Sequence, residues 1–255
     1  MATAALLLLG FLLALLLLPR AWFAVLAALL AAAGGFEWAR LCRLATPLAW
    51  LYGAIAALAV IALFTAGPRA AFSSFFLASA FWVIAVPLWL ARGVTPQARA
   101  ALVASGFLVI VPAALALAWL PAREVLAVLV LVWIADTAAY FFGRAWGRRK
   151  LAPSISPGKT WEGALGGVVG ALAYAIILAA FTARLAWAPA LAGAAALAVI
   201  SIVGDLFESA AKRQAAVKDS GALLPGHGGI LDRIDSATAA LPLAALMLPW
   251  IRANA

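Results

Sequence analysis

Long apolar runs follow one another along almost the whole chain, and they limit the possible folds more than any other feature. Of the 255 residues, 68% are hydrophobic and only 11% are charged, whereas an ordinary soluble domain is about half apolar and about a quarter charged. A run of about 20 apolar residues can cross a bilayer as a helix. Because these runs are continuous and do not alternate with period two, they predict membrane helices rather than the strands of a barrel.

Nine of these runs are candidate membrane spans, which predicts an all-α, polytopic helical bundle. Most boundaries fall at Gly, Pro or Arg, as expected for breaks between helices. The first run is interpreted as a membrane helix and not as a cleaved leader, because no basic segment precedes it and another apolar run follows at once. The predicted spans are residues 3–18, 21–39, 47–66, 72–91, 100–120, 124–143, 161–182, 189–208 and 237–251.

The distribution of Lys and Arg predicts that the N-terminus is cytoplasmic. With that orientation, thirteen of the 18 basic residues fall on the cytoplasmic side, in agreement with the excess of positive charge that membrane proteins carry there. The two long polar loops, residues 144–160 and 209–236, then lie on this side. Membrane orientation accounts for the net charge of +9, so no nucleic-acid partner is predicted.

The acidic residues divide the chain into two parts. Seven of the nine acids, and all four lysines, lie between residues 136 and 235. Glu37 is the only acid in the first 120 residues. We therefore predict that residues 1–120 form a scaffold of lipid-facing helices. Residues 121–255 are predicted to form the catalytic region, within one structural unit.

Two aspartates precede the last apolar run, in the segment Asp232-Arg233-Ile234-Asp235. Residues three apart share one face of a helix, with Cβ atoms about 5–6 Å apart. Two carboxylates at that separation repel each other unless a cation lies between them, which indicates a binding site. The alternative is that they complement the helix dipole, for which one Asp would be enough.

A second acidic group lies at the end of the eighth predicted span. One helical stripe there contains Asp205, Glu208, Ser209 and Lys212. Glu208 and Lys212 can form an ordinary i,i+4 ion pair. Asp205 instead follows an apolar run, where an ionised acid needs a partner or a metal ion, and Asp136 is placed in the same way in the sixth span.

These side chains favour a hard cation as ligand. Mg²⁺ binds through one or two carboxylates together with substrate phosphates. A zinc site is not expected, because the single cysteine, Cys42, and the single histidine, His227, lie far apart in the sequence. One cysteine also excludes a disulfide within the chain, and Cys42 is interpreted as a small apolar filler.

Each polar loop contains a candidate phosphate site. Residues 225–229 read Pro-Gly-His-Gly-Gly, and such glycines let backbone N–H groups approach an anion. His227 is left open between a general base, a phosphate donor and an ordinary loop residue. In the other loop, Lys159 follows Gly158, but residue 153 is Pro where a P-loop needs Gly. A plain helix N-terminus, capped by Ser156 or Thr160, explains this loop equally well.

Taken together, these residues resemble the signature of the phosphatidate cytidylyltransferases, also called CDP-diacylglycerol synthases. The resemblance extends upstream through Gly204-Asp205 and residues 156–163 to residues 136–140, where Ala138 and Ala139 stand in place of a usual bulkier residue or Gly. The signature positions are Ser209, Lys212-Arg213, Lys218-Asp219, Gly221, residues 225–229, Asp232-Arg233 and Asp235, all at the expected spacing.

The resemblance implies that CTP and phosphatidate are converted to CDP-diacylglycerol and pyrophosphate, for phospholipid biosynthesis. It implies a multi-pass protein of a bacterial-type inner membrane, a homodimer, and a site on the cytoplasmic side. The implied cofactor is Mg²⁺, with a monovalent ion such as K⁺ as an option for a second cation.

Three sets of residues follow from the resemblance. The catalytic set is Asp205, Asp232, Asp235 and Lys212. The metal-binding set is Asp205, Asp232, Asp235 and Asp136. The substrate-binding set is Ser156, Lys159, Ser209, Arg213, Lys218, Asp219, Gly226, His227, Gly228, Gly229 and Arg233.

Other functions remain as alternatives. A CTP-dependent lipid kinase or an archaeal-type lipid cytidylyltransferase would use similar residues. A CDP-alcohol phosphotransferase is disfavoured, because its aspartates four apart and its Asp-Gly opening are missing. An ion-coupled transporter would place its acids near the middle of the spans, whereas here they are predicted to cluster at one edge.

Overall fold

The structure is a computed structural model that describes residues 2–93, 99–182, 186–221 and 228–252. These residues form a bundle of α-helices with one small β-hairpin. The strands β1 (Lys150–Ala152) and β2 (Ser156–Thr160) are antiparallel. The helices are α1 (Ala2–Leu17), α2 (Arg20–Leu41), α3 (Thr46–Ala66), α4 (Pro68–Ala80), α5 (Val86–Ala91), α6 (Arg99–Trp119), α7 (Ala122–Trp146), α8 (Trp161–Phe181), α9 (Trp187–Gln214) and α10 (Leu231–Ile251).

Eight helical segments of the described chain are long and apolar enough to cross a membrane. They correspond to the second to ninth predicted spans, so the prediction of a polytopic helical bundle is confirmed. A π-helical turn, Phe81–Ala85, joins α4 to α5, and these three pieces form one continuous span, Pro68–Ala91. The first predicted span is α1, an apolar helix of 16 residues that is shorter than the others.

The two polar loops are shorter than the sequence predicted. Helix α9 continues to Gln214, because Ala, Lys, Arg and Gln follow its apolar part and all favour helix. Helix α10 begins at Leu231, so both ends of the loop predicted for residues 209–236 are helical. The loop predicted for residues 144–160 contains the end of α7 and the β-hairpin.

Helices α7 and α8 pack closely through small residues. A Cβ atom on Gly167 would lie 3.0 Å from the carbonyl oxygen of Ala135, and one on Gly170 would lie 2.8 Å from the Cβ of Ala138. Close backbone approach through Gly and Ala is common between membrane helices. The small residue at position 138, unusual for the family signature, is therefore matched by a glycine on the facing helix.

An aromatic cluster holds the C-terminal part of α9 inside the bundle. Phe207 is buried, and the rings of Phe81, Trp82, Trp89 and Trp38 surround it at centroid distances of 5.5–5.9 Å. Aromatic pairs at this separation contribute beyond the area that they bury. Asp205 and Glu208, which neighbour Phe207 on α9, therefore lie on a well-packed part of the helix.

Helices α9 and α10 form the centre of the bundle, and α10 also contacts α2, α4, α6 and α7. At Gly204 the two backbones come together: a Cβ atom there would lie 2.8 Å from the carbonyl oxygen of Asp235. This approach brings the acidic ends of α9 and α10 to the same level of the bundle.

Candidate active site

A polar cavity of about 500 Å³ lies among α7, α8, α9, α10 and the β-hairpin. Its wall includes predicted site residues from both polar regions of the chain. Tyr140, Arg144 and Thr160, which the sequence did not assign to a site, also line it. The predicted site residues in the wall are Asp136, Ser156, Lys159, Asp205 and Asp235.

Asp205 binds the only ammonium group that lines this cavity within the described chain. The Nζ atom of Lys159 lies 2.6 Å from Asp205 Oδ2, and the Ser209 hydroxyl donates a hydrogen bond of 3.2 Å to Oδ1. Asp205 and Lys159 remain 29% and 24% exposed in their side chains. The pair is therefore accessible from the cavity and can be separated by a ligand.

The β-hairpin holds Lys159 in place through the start of α8. Thr160 caps this helix by accepting a hydrogen bond of 3.1 Å from the N–H of Gly163, so the interpretation of Thr160 as a cap is confirmed. Glu162 accepts hydrogen bonds from the backbone N–H groups of Arg148 and Arg149, at 3.0 and 3.2 Å. The same loop thus serves as a helix cap and carries a lysine to the cavity.

Lys212 joins α9 to α10. Its Nζ atom lies 2.7 Å from Asp232 Oδ1 and 3.2 Å from Glu208 Oε1, and the three side chains are 5–13% exposed. Among the residues that the structure describes, Glu208 makes no hydrogen bond besides this ion pair. Lys212 thus places one buried ammonium between a carboxyl group of α9 and a carboxyl group of α10.

Asp232 Oδ2 organises the end of the glycine-rich loop. It accepts hydrogen bonds from the N–H of Gly229 at 2.9 Å, from the N–H of Ser220 at 2.9 Å and from the Ser220 hydroxyl at 3.0 Å. Gly228 has a positive φ of 80°, which glycine adopts without strain. The N–H of Gly229 was predicted to bind a substrate phosphate, but in this structure it donates its hydrogen bond to Asp232.

The donor set of the polar cavity fits a hard cation. Asp136, Asp205 and Asp235 supply carboxylate oxygens, as Mg²⁺ prefers. Within the described residues, however, no three His, Cys, Asp or Glu side chains converge closely enough to form a complete metal site. Phosphate oxygens of a substrate would have to complete the coordination. Cys42 is buried, and burial raises the pKa of its thiol to about 12, so it offers no thiolate.

The remaining predicted site residues either lie around these clusters or fall outside the residues that the structure describes. The Arg213 guanidinium donates a hydrogen bond of 3.3 Å to the Ile155 carbonyl of the hairpin. Lys218 and Asp219 are exposed beyond the end of α9 and do not line the polar cavity. Gly226 and His227 lie outside the described residues, so their predicted roles stay predictions.

An apolar cavity of about 440 Å³ adjoins the polar one. Both cavities are lined by Asp136, Asp235 and Ser236, and Arg233 also lines the apolar one. Its other walls come from apolar side chains of α1, α2, α6, α7 and α10. The arrangement places a charged compartment directly beside a hydrophobic one.

Sequence reasoning gave no role to Glu37 or Ser220, and both contact the loop before α10. Glu37 is 1% exposed and accepts hydrogen bonds from the N–H groups of Ile230 and Leu231 at 3.0 and 2.9 Å. The Ser220 hydroxyl lies 3.2 Å from Glu37 Oε2. A lone acid inside an apolar span is a signal for function, and it could have identified Glu37.

The fold and the cavities define a multi-pass membrane protein with a charged site next to an apolar compartment. The model of the cytidylyltransferase family matches residues 1–251, and the chain therefore belongs to this family.

Three bacterial relatives match between 45% and 91% of this chain. A phosphatidate cytidylyltransferase of Pseudomonas aeruginosa is 41% identical over 246 residues, which cover 91% of this chain and 89% of the relative. One of Haemophilus influenzae is 54% identical over 120 residues, 45% of this chain and 42% of the relative. One of Staphylococcus saprophyticus is 46% identical over 120 residues, 47% of this chain and 46% of the relative.

Proposed function

We propose that this protein transfers the cytidylyl group of CTP to phosphatidate, forming CDP-diacylglycerol and pyrophosphate for phospholipid biosynthesis. The observation that carries the proposal is the pair of cavities, one charged and one apolar, with Asp136, Asp235 and Ser236 in both walls. One substrate is a polyanion and the other is a phosphate attached to acyl chains. The family and the names of the curated relatives support the same reaction.

The polar cavity would receive the nucleotide triphosphate. Lys159 supplies a positive charge there, and Ser156 supplies a hydroxyl group. Arg144, which also lines the cavity, is exposed and hydrogen-bonded to the Tyr140 hydroxyl at 3.0 Å. Charge-assisted hydrogen bonds to phosphate are among the strong polar contacts in proteins.

The apolar cavity would receive part of an acyl chain. Leu8 and Phe11 of α1 and Ile110 of α6 contribute to its walls, so a chain could lie between the first helix and the core. Arg233 at the same cavity is suited to a lipid phosphate, since a guanidinium forms paired hydrogen bonds with phosphate oxygens. The lipid phosphate would then lie close to Asp235.

In this reaction an oxygen of the lipid phosphate forms a bond to the α-phosphorus of CTP. The bond from that phosphorus to the oxygen bridging to the β-phosphate breaks, and pyrophosphate leaves with the electron pair. The attacking phosphate is already ionised at neutral pH, so no strong general base is needed. The work of the protein is to position both phosphates and to neutralise their charge.

We also propose that Mg²⁺ binds at this site, held by Asp205 and Asp235 with support from Asp136, and that Asp232, one turn before Asp235 on α10, contributes. When bound, it would neutralise the charge that develops on the phosphates. A second cation, such as K⁺, is part of the same proposal. In the structure the positive charge next to Asp205 is the ammonium of Lys159, at 2.6 Å.

The cellular setting is proposed on the charge distribution and the family. The site would face the cytoplasm, with the N-terminus on the same side, in a bacterial-type inner membrane. A homodimer is proposed from the resemblance. Light scattering of the detergent-purified protein measures this property independently of activity.

A labelling experiment tests the proposed reaction. The detergent-purified protein is incubated with phosphatidate and with CTP labelled at either the α- or the γ-phosphate, with and without Mg²⁺. We expect label from the α-phosphate in the lipid only when Mg²⁺ is present. Label from the γ-phosphate in the lipid would mean a lipid kinase and would overturn the proposal. Asp232→Asn should form no CDP-lipid although it remains folded.

A further inference from the structure

Glu37 lies in α2, yet among the described residues the hydrogen bonds of its carboxylate all come from residues more than 180 positions later in the chain. Its carboxylate accepts from the N–H of Ile230 at 3.0 Å and from the N–H of Leu231 at 2.9 Å. Helix α10 begins at Leu231, and no side chain of its own N-cap residue, Ile230, caps it. Glu37 therefore supplies, from another helix, the acceptor that the first N–H groups of α10 need.

The same carboxylate is linked to Asp232 through one serine. Ser220 Oγ lies 3.2 Å from Glu37 Oε2 and 3.0 Å from Asp232 Oδ2. Asp232 in turn binds Lys212 through its other oxygen, at 2.7 Å. A short chain of contacts thus runs from Glu37 to the ammonium between α9 and α10.

The loop is also shaped around this carboxylate. A Cβ atom on Gly221 would lie 2.7 Å from Glu37 Oε1, and one on Gly229 would lie 2.6 Å from Glu37 Oε2. Neither position can hold a larger residue while Glu37 keeps its place. On the other side, Trp38 donates a hydrogen bond of 2.8 Å to the Leu102 carbonyl and stacks on Phe207, which fixes α2 against α6 and α9.

We infer that Glu37 is a positioning residue for the reaction. It fixes the first turn of α10 and, through Ser220, the orientation of Asp232 and Lys212, without contacting substrate itself. The inference rests on the proposed function for its kinetic consequence. The charge and length of the side chain both matter, because two N–H donors and one hydroxyl converge on its two oxygens.

Glu37→Gln tests this role, since its amide nitrogen would face a hydrogen-bond donor and one acceptor would be lost. We expect kcat to fall about 10- to 100-fold, as for small displacements of catalytic groups. The KM values for CTP and phosphatidate should change less than kcat. Glu37→Asp, which keeps the charge but is shorter, should recover part of the loss. Glu124→Gln is the control, because Glu124 is also buried but binds Arg252 at 2.6 Å and lines neither cavity.

Hydrogen–deuterium exchange separates this inference from the proposed reaction, because it needs no turnover. In Glu37→Gln, amides at residues 218–221 and 228–233 should exchange faster, while those of α3 and α6 should stay unchanged. If the wild-type protein made no CDP-lipid but Glu37→Gln showed this local increase in exchange, the proposed reaction would fail and the positioning role would stand. Wild-type kcat in Glu37→Gln, or an exchange increase that is equal throughout the bundle, would overturn the inference.

Discussion

Two lysines of the site bind aspartates, but their surroundings give them different roles. Lys212 is 13% exposed and held between Glu208 and Asp232, whereas Lys159 is 24% exposed and contacts only Asp205 among the recorded ion pairs. A cation or phosphate that enters the cavity can take over one partner of the Lys159 pair. We therefore expect Lys159 to exchange its contact with Asp205 for one with the substrate, and Lys212 to stay in place.

Replacing Lys159 should weaken nucleotide use in particular. A hydrogen bond to a charged group contributes about 1.5–3 kcal/mol, so Lys159→Ala should lower kcat/KM for CTP by about tenfold or more. Lys150→Ala is the matched control, since Lys150 is exposed on the neighbouring strand and does not line the cavity. Steady-state kinetics with CTP varied at fixed phosphatidate measures the effect. Equal kcat/KM values for CTP in the two variants would contradict the assignment of Lys159 to the nucleotide site.

At the scale of single elements, the apolar spans could be predicted from the sequence but the connections between them could not. Hydropathy locates a span without any knowledge of its neighbours, and the stripe from Asp205 to Lys212 follows from helical spacing alone. The β-hairpin was not predicted, because strands of three and five residues give no periodic pattern.

Residue spacing in the sequence also could not predict which residues of the site contact each other. Lys159 lies on β2 and Asp205 on α9, and Glu37 reaches backbone N–H groups that carry no side-chain signal in the sequence. Sequence reasoning could name the acids that need partners. It could not pair them, since pairing depends on how α2, α8, α9 and α10 pack.

The ion pair between Lys212 of α9 and Asp232 of α10 leads to a prediction about the stability of the protein. Lys212→Ala would leave Glu208 and Asp232 buried without their counter-charge, and breaking a buried ion pair in this way costs about 3–5 kcal/mol. We expect a clear drop in the Tm of the detergent-purified protein. Adding Glu208→Gln should restore part of it, because Glu208 has no other hydrogen-bond partner within the described part of the chain.

The control for this prediction is Lys218→Ala, whose side chain is exposed beyond the end of α9 and should leave Tm unchanged. A double variant no more stable than Lys212→Ala alone would contradict the assignment of Lys212 as the counter-charge of Glu208.

At the scale of the whole molecule, the N-terminal helices contribute to the walls of the apolar cavity. Leu8 and Phe11 of α1, Leu30 of α2 and Ile110 of α6 line it, although the sequence predicted only a scaffold for residues 1–120. The length of the cavity, and hence its fit to an acyl chain, is therefore set by residues far from the signature.

Narrowing this cavity should change lipid preference and leave nucleotide use intact. Ala114 of α6 is buried and lines the cavity, so Ala114→Leu would fill part of it. Because a methylene group in an apolar pocket is worth about 1–3 kcal/mol, we expect KM for long-chain phosphatidate to rise about tenfold. The KM for CTP and the activity on short-chain phosphatidate should change little. Ala104→Leu, on the exposed face of the same helix, is the matched control. The same KM increase for short and long chains would mean that acyl chains lie elsewhere, since only a chain that reaches Ala114 can be excluded by the larger residue.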